Sequence, residues 1–388
     1  MKTSQQSSFT SKDQELLLQA ALFKGESAIN AWNEWRSVVN LEGHPDNGSF
    51  HLMPLLYLNL QKHGGKDPFM NRLKGIYRQS WYRNKKSFHH AKEIITPLHE
   101  KGIRVMLLKG AVMAALYYKN DSVRPMEHVD VLVPFSQALK AVDVLMNSGW
   151  LPTGEFRKND LYLTHCTRFI HHSGRQFDLY WNPFSGCRMD HNRECWARAR
   201  QITFTDISVL APHSTDMLFH VIAPGVEWGQ DPPIHWIADA VTIISDAETD
   251  IDWMRFIRQT EKHRFCIRMK VALNYLHDTY KAPIPSSILN AMNTLRITRL
   301  EQKEHYYKLR VREPLNNTPY ARFVIYLSTY LRSMNGTGLF RSITLFPRYL
   351  LQELKAENYY DLYFHHIAKG IRETMKRLLS RLIVHSQG

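Results

Sequence analysis

Residues 124–134 read RPMEHVDVLVP. A polar turn at Arg124-Pro125 runs into an apolar stretch that ends at Pro134, and its length and branched residues predict a buried strand. His128 and Asp130 stand two residues apart, and on a strand such positions point to the same face. Two carboxylates at that spacing would make a divalent-metal site. Here one of the pair is a histidine. The stretch alone also fits a plain strand whose His128 is hydrogen-bonded near the strand start.

Working outward, residues 101–210 predict an α/β unit holding a mixed sheet. IRVMLLKG (103–110) is a short apolar run ending in Gly110, and AVMAALYY (111–118) suits a helix. SQALKAVDVLMNSGW (136–150) is an amphipathic helix, with Ser136 as its cap and Gly149 beyond its end. LYLTHCTRFIHH (161–172) and RQFDLYWNP (175–183) are alternating runs separated by Ser173-Gly174, a hairpin signal. Residues 1–100 read as helices, the first being DQELLLQAALF with an Asp13 cap and the longest running from about Pro68 to Leu98. Residues 211–285 return to helices, and residues 286–388 form a basic C-terminal helical region.

The composition is that of a globular chain with a sizeable core: 388 residues, 44% hydrophobic and 12% aromatic. Fifty Lys and Arg against 36 Asp and Glu leave a net +14. That balance favours anionic partners, although a non-specific basic surface explains it equally well. Residues 286–388 hold 16 Lys and Arg against 7 Asp and Glu, so most of the excess lies there. GIRETMKRLLSRLIVHSQG (370–388) puts Ile371, Met375, Leu378, Leu379 and Leu382 on one helical face, away from Arg372, Lys376 and Arg381. Such a helix either packs on the domain or makes a peripheral contact with a membrane or another anionic surface. Cys166, Cys187, Cys195 and Cys266 form no C-x-x-C pair, which argues against structural zinc. The polar start lacks a secretory apolar core, and no run nears the roughly 18 apolar residues of a membrane span. A cytoplasmic location is expected, and no specific nucleic-acid motif is present.

Nucleotidyl transfer needs divalent cations to neutralise a triphosphate and to acidify an attacking hydroxyl. A recurring arrangement places Asp-x-Asp on one strand, a third carboxylate on a neighbouring strand, and a glycine turn before a helix for the phosphates. In this chain the corresponding elements are Lys109-Gly110, His128-x-Asp130 and Asp178 in FDLYW. Gly110 would let the backbone approach a phosphate, and Lys109 and Arg124 are cations suited to its oxygens. Asp178 stands between apolar strand neighbours, where a charge needs a partner.

LLKGAVMAALYYKNDSVRPMEHVDVLVP (107–134) resembles the uncharacterised bacterial nucleotidyltransferases of the polymerase-beta-like superfamily. Their pattern runs Leu-Lys-Gly-Ala, a helix ending near a Tyr, then Arg-Pro-Met-x-Asp-x-Asp-x-Leu-Val. FDLYWNP (177–183) is similar to their later acidic strand, and the resemblance extends over about residues 30–285. It implies an α-rich α/β fold, with a polymerase-beta-like mixed sheet flanked by N-terminal and C-terminal helical regions. It also implies transfer of a nucleoside monophosphate from an NTP, with Mg²⁺ or Mn²⁺, to an acceptor the sequence does not name. Asp130 and Asp178 would be the second and third carboxylates, and Gly110 would line the phosphate turn. His128 stands where the family has its first Asp, and Tyr180 where His is common. Imidazole offers one lone pair where a carboxylate can bridge two metals, and the swap removes a negative charge. Glu127 points to the opposite face and does not compensate. An active metal-dependent enzyme, a catalytically degenerate nucleotide-binding or interaction protein, and an unrelated use of the fold all remain open.

Overall fold

The computed structural model describes residues 9–39, 46–154, 156, 161–187, 189–226, 233–246, 250–310, 318–334 and 339–354. Seven strands form a mixed sheet: β1 (Met106–Leu108), β2 (Asp130–Leu132), β3 (Trp150–Pro152), β4 (Cys166–His171), β5 (Gln176–Tyr180), β6 (Arg200–Phe204) and β7 (Ile207–Ala211). Their order is β3-β4-β5-β2-β1-β7-β6. β2 runs antiparallel to β1 and parallel to β5, and β1 runs parallel to β7. The central strands β1 and β2 are buried along their whole length, which is why they read as short, nearly unbroken apolar runs.

Alternation along these strands builds two unlike faces. Leu107, Val131, Phe177 and Leu179 join the main core, where Ile94, Ile95 and Leu98 of the helix Met70–Glu100 also pack. Met106, Leu108, Leu132 and Tyr180 form a smaller cluster with Cys195 and Trp196 of the helix Met189–Ala197. Asp130 and Asp178 share the register of this second face.

Some local expectations shift. Ser11, not Asp13, caps the helix Lys12–Leu22, because Gln14 closes a reciprocal capping box with it and leaves Asp13 in the first turn. Ser136 caps nothing: Pro134 leads into a 3₁₀ turn, Phe135–Gln137, and the helix Ala138–Asn147 starts after it. The helix expected after Gly110 starts at Lys109, with one α turn, Lys109–Val112, and then a π turn, Met113–Tyr117. β4 begins at Cys166 rather than near Leu161. The Trp181 indole N–H donates to the carbonyls of Leu161 and Thr164, and Leu163 packs on Tyr330, Met334, Tyr349 and Leu350. Those contacts hold residues 161–164 off the sheet.

Helices Ser214–Gly225, His235–Asp246, Trp253–His263 and Cys266–Tyr280 complete the main core. Trp236 lies directly over Gly225, where an added Cβ would meet Trp236 Cγ at 2.4 Å. Gly225→Ala is expected to cost about 1–3 kcal/mol by overpacking, read by urea denaturation beside Gly154→Ala, where a Cβ meets nothing within 4 Å. Equal midpoints for the two variants would remove the argument.

Beyond residue 285 the chain is tied down by a buried carboxylate. Glu304, on the helix Arg299–Arg310, accepts from Arg332 at 2.5 and 2.7 Å, from Ser328 at 2.6 Å and from Arg268, with Lys308 Nζ at 3.3 Å. The guanidinium groups of Arg268 and Arg332 also lie over the Phe265 ring, at 4.9 and 5.0 Å. Tyr349 and Leu350 of the helix Leu339–Glu353 pack on Tyr330 and Met334. The amphipathic segment 370–388 falls outside the described residues. Among the described residues, no helix is long and apolar enough to cross a membrane.

Candidate functional site

β2 and β5 pair in parallel with Asp130 directly beside Asp178. Asp130 also faces Leu108, the last residue of β1, in the antiparallel pair. Both carboxylates therefore project from neighbouring strands onto one face, and both are buried, at 6% and 8% exposure. His128 places Nε2 3.1 Å from Asp178 Oδ2 and 4.0 Å from Asp130 Oδ1. One ligand atom from each of the three residues lies within 4.8 Å of the others.

Two cations complete the cluster. Lys109 Nζ sits 2.8 Å from Asp130 Oδ1, donates to the Tyr180 hydroxyl at 2.5 Å and lies 4.6 Å over the Tyr180 ring. Lys109 adopts φ +50°, the left-handed region, which lets the chain turn at once from β1 into the following helix. For a side-chain-bearing residue that conformation costs about 1–2 kcal/mol. Arg168 of β4 stands opposite Asp178 and donates to both its oxygens, from Nε at 2.7 Å and Nη2 at 3.1 Å.

The protonation states follow from these contacts. The hydrogen bond to Asp178 raises the His128 pKa against the effect of burial, and the charges of Asp130 and Asp178 add to it. Burial alone would raise Asp178, but hydrogen bonds from His128 and Arg168 win and hold it far below the usual carboxylate range. Burial, reinforced by Asp130, pushes the Tyr180 phenol far up, so it stays neutral. Burial and the Asp178 charge push the Cys166 thiol to about 11, which removes it as a nucleophile.

The donor set of two carboxylates and one imidazole fits a divalent transition-type cation, or Mg²⁺ with its remaining positions on water. Lys109 and Arg168 already balance the two carboxylates, so a cation at Asp130 must compete with Lys109.

Lys109, His128, Asp130 and Asp178 thus come together. Arg124 is engaged elsewhere: Nε bonds both oxygens of Asp239 at 3.2 and 3.0 Å, and Nη1 bonds the Pro125 carbonyl at 2.8 Å. The Tyr118 hydroxyl joins the same carboxylate, fixing the loop before β2 to the helix His235–Asp246. Gly110 faces Met126, whose Cγ would lie 2.5 Å from an added Cβ, so its small size admits that loop.

Three site residues carry no motif signal. Arg168 is visible in sequence only as one charge in an alternating run, and the β4–β5 register supplies its partner. Tyr180 stands out only against the family pattern. His220 is 3% exposed, and neither ring nitrogen meets a hydrogen-bond partner among the described residues. Burial and the nearby Lys109 charge push its pKa down to about 3, keeping it neutral.

Residues 50–280 match a protein-family model described as an uncharacterised nucleotidyltransferase. The match takes in the whole sheet, the helices Met53–Lys62 and Met70–Glu100 before it and the helices through Cys266–Tyr280 after it. No curated protein matches the chain.

Proposed function

Because the chain belongs to this family of uncharacterised nucleotidyltransferases, we propose that it transfers a nucleoside monophosphate from an NTP to an acceptor hydroxyl on a polymerase-beta-like sheet, with Mg²⁺ or Mn²⁺ as cofactor. The observation that carries this reading is the convergence of His128, Asp130 and Asp178 on one sheet face. When bound there, a divalent cation would neutralise phosphate charge and acidify the acceptor hydroxyl. The acceptor hydroxyl releases its proton to solvent as its oxygen bonds to the α-phosphorus, the bond from that phosphorus to the α–β bridging oxygen breaks, and pyrophosphate leaves with that oxygen. Asp130 and Asp178 supply the negative charge, and Arg168 keeps Asp178 ionised and oriented. Lys109, once released from Asp130, is the cation placed to meet a phosphate oxygen. His220, buried and uncharged, adds no competing charge near that lysine.

A second reading, a catalytically degenerate nucleotide-binding member, is favoured by one specific observation. Lys109 and Arg168 already neutralise the two carboxylates, with the His128 imidazole as the third member of the cluster.

Pyrophosphate release with Mg²⁺, Mn²⁺ and Zn²⁺, compared between the native chain and His128→Asp, separates the two. The enzyme reading expects native turnover that favours Mn²⁺ over Mg²⁺, because imidazole suits transition metals better. It also expects about a 10–100-fold gain with Mg²⁺ in His128→Asp, the scale on which changes around a metal ligand act. Turnover only after the substitution establishes degeneration. A native chain and variant that both fail to bind NTP would remove both readings.

A further inference from the structure

Next to the His128, Asp130 and Asp178 cluster, a groove of about 460 Å³ opens between the helix Met70–Glu100 and the N-terminal ends of β2 and β5. Its walls include Arg83, Lys86, Glu127, His128 and Arg175. We infer that this groove is the acceptor site and that the acceptor carries phosphate. The inference rests on the nucleotidyltransferase reading and names the substrate class for it.

Position is the first argument. β2 and β5 are parallel and in register, so places along them can be compared directly. The groove meets residues 126–129 and 173–177, just before Asp130 and Asp178. His128 lines the groove and bonds Asp178. The groove therefore reaches the cluster through His128. In phosphoryl-group transfer the attacking and leaving oxygens are roughly in line across the phosphorus. If Lys109 takes the leaving phosphates, an acceptor held in the groove would approach the cluster beside His128.

Charge is the second argument. Arg83 and Lys86 lie one helical turn apart on the groove face, both exposed, and neither forms an ion pair among the described residues. Arg175 is half-buried and held by Glu93 and Ser173, so its guanidinium is fixed in place. Glu127 is the single carboxylate among these wall residues. His90, also in the wall, has its pKa lowered first by burial and then by Arg175, with Glu93 opposing and Lys86 adding less. Two exposed cations beside a fixed one suit phosphate oxygens better than a neutral sugar or an amine. A phosphorylated small molecule and the backbone of a nucleotide chain share this chemistry.

The test measures binding in EDTA, so that the metal reading does not enter. A fluorescein-labelled single-stranded hexanucleotide is titrated with the native chain and with Arg83→Glu/Lys86→Glu by fluorescence anisotropy. The native chain is expected to bind, and the double variant to bind at least tenfold more weakly. Both positions are exposed, and an unchanged melting temperature confirms folding. Displacement by ribose 5-phosphate assigns the site to a small phosphorylated acceptor; resistance to it assigns a nucleotide chain. Should the hexanucleotide fail to bind, calorimetry with ribose 5-phosphate on both chains decides: a variant-sensitive signal supports the proposal. No binding of either probe, or equal binding by native and variant, overturns it. An equal loss of Mn²⁺–ATP affinity in the double variant also overturns it, because the groove would then hold the nucleotide.

Discussion

Asp130→Ala is expected to bring pyrophosphate release down to background, a loss on the order of 10³-fold, the scale of removing one preorganised electrostatic group from an active site. Asp130 is the carboxylate shared by the cluster: it stands beside Asp178 in the strand register and faces both His128 and Lys109. Removing it leaves one carboxylate against Lys109, Arg168 and His128, a net positive site that repels a dication. Stability should hardly change. The Lys109 side chain is 37% exposed, so the lost pair is screened by water. The variant therefore separates chemistry from folding, and both turnover and thermal melting should be measured. A variant that keeps more than about a tenth of the native rate would show that Asp130 does not carry the reaction.

Glu304→Ala is expected to destabilise the chain by about 3–5 kcal/mol, because it leaves Arg268 and Arg332 buried without their counter-charge. Both arginines and Glu304 are at most 5% exposed, so water cannot take over the role. Burial opposes ionisation of Glu304, but the hydrogen bonds from Arg332 and the charges of Arg268, Arg332 and Lys308 win and hold its pKa far below the ordinary value. A depressed folded pKa means that this contribution is complete above the unfolded pKa, about 4.3, and fades as pH falls toward the folded value. The native chain should therefore lose stability on acidification below about pH 4. Glu304→Gln, already lacking the charge, should show a flatter profile. Denaturant midpoints at pH 7 and at acid pH would check both. Matching acid profiles for the native chain and the Glu304→Gln variant would remove this carboxylate as the source.

The chain encodes its central elements plainly. RPMEHVDVLVP announces a buried strand with polar residues on one face, and IRVMLLKG and FDLYW announce its neighbours. Apolar periodicity also locates the helices of residues 12–100 and 214–280. The β6–β7 hairpin is different. Its turn, Thr205-Asp206, has neither Gly nor Asn, and Thr205 takes φ +58° regardless. Pairing with β1 at the sheet centre overrides the local preference, and no short window contains that information.

The site divides in the same way. His128-x-Asp130 and Asp178 are legible because a charge among apolar strand residues demands a partner. Which partner is a matter of register. The parallel pairing of β2 with β5 sets Asp130 beside Asp178, and the antiparallel pairing of β4 with β5 sets Arg168 across from it. Arg124 shows the reverse case, a cation near the motif in sequence that is bound to Asp239, 115 residues away.

The sequence by itself determined the family, the strand that carries the cluster and the histidine that departs from the family pattern. Local residue chemistry and spacing are enough for those. Only the tertiary structure decided the balance of charge: two carboxylates already matched by Lys109 and Arg168, and a groove with Arg83 and Lys86 in its wall beside His128. Those features depend on pairings between distant segments, and burial is what gives such pairings their energetic weight.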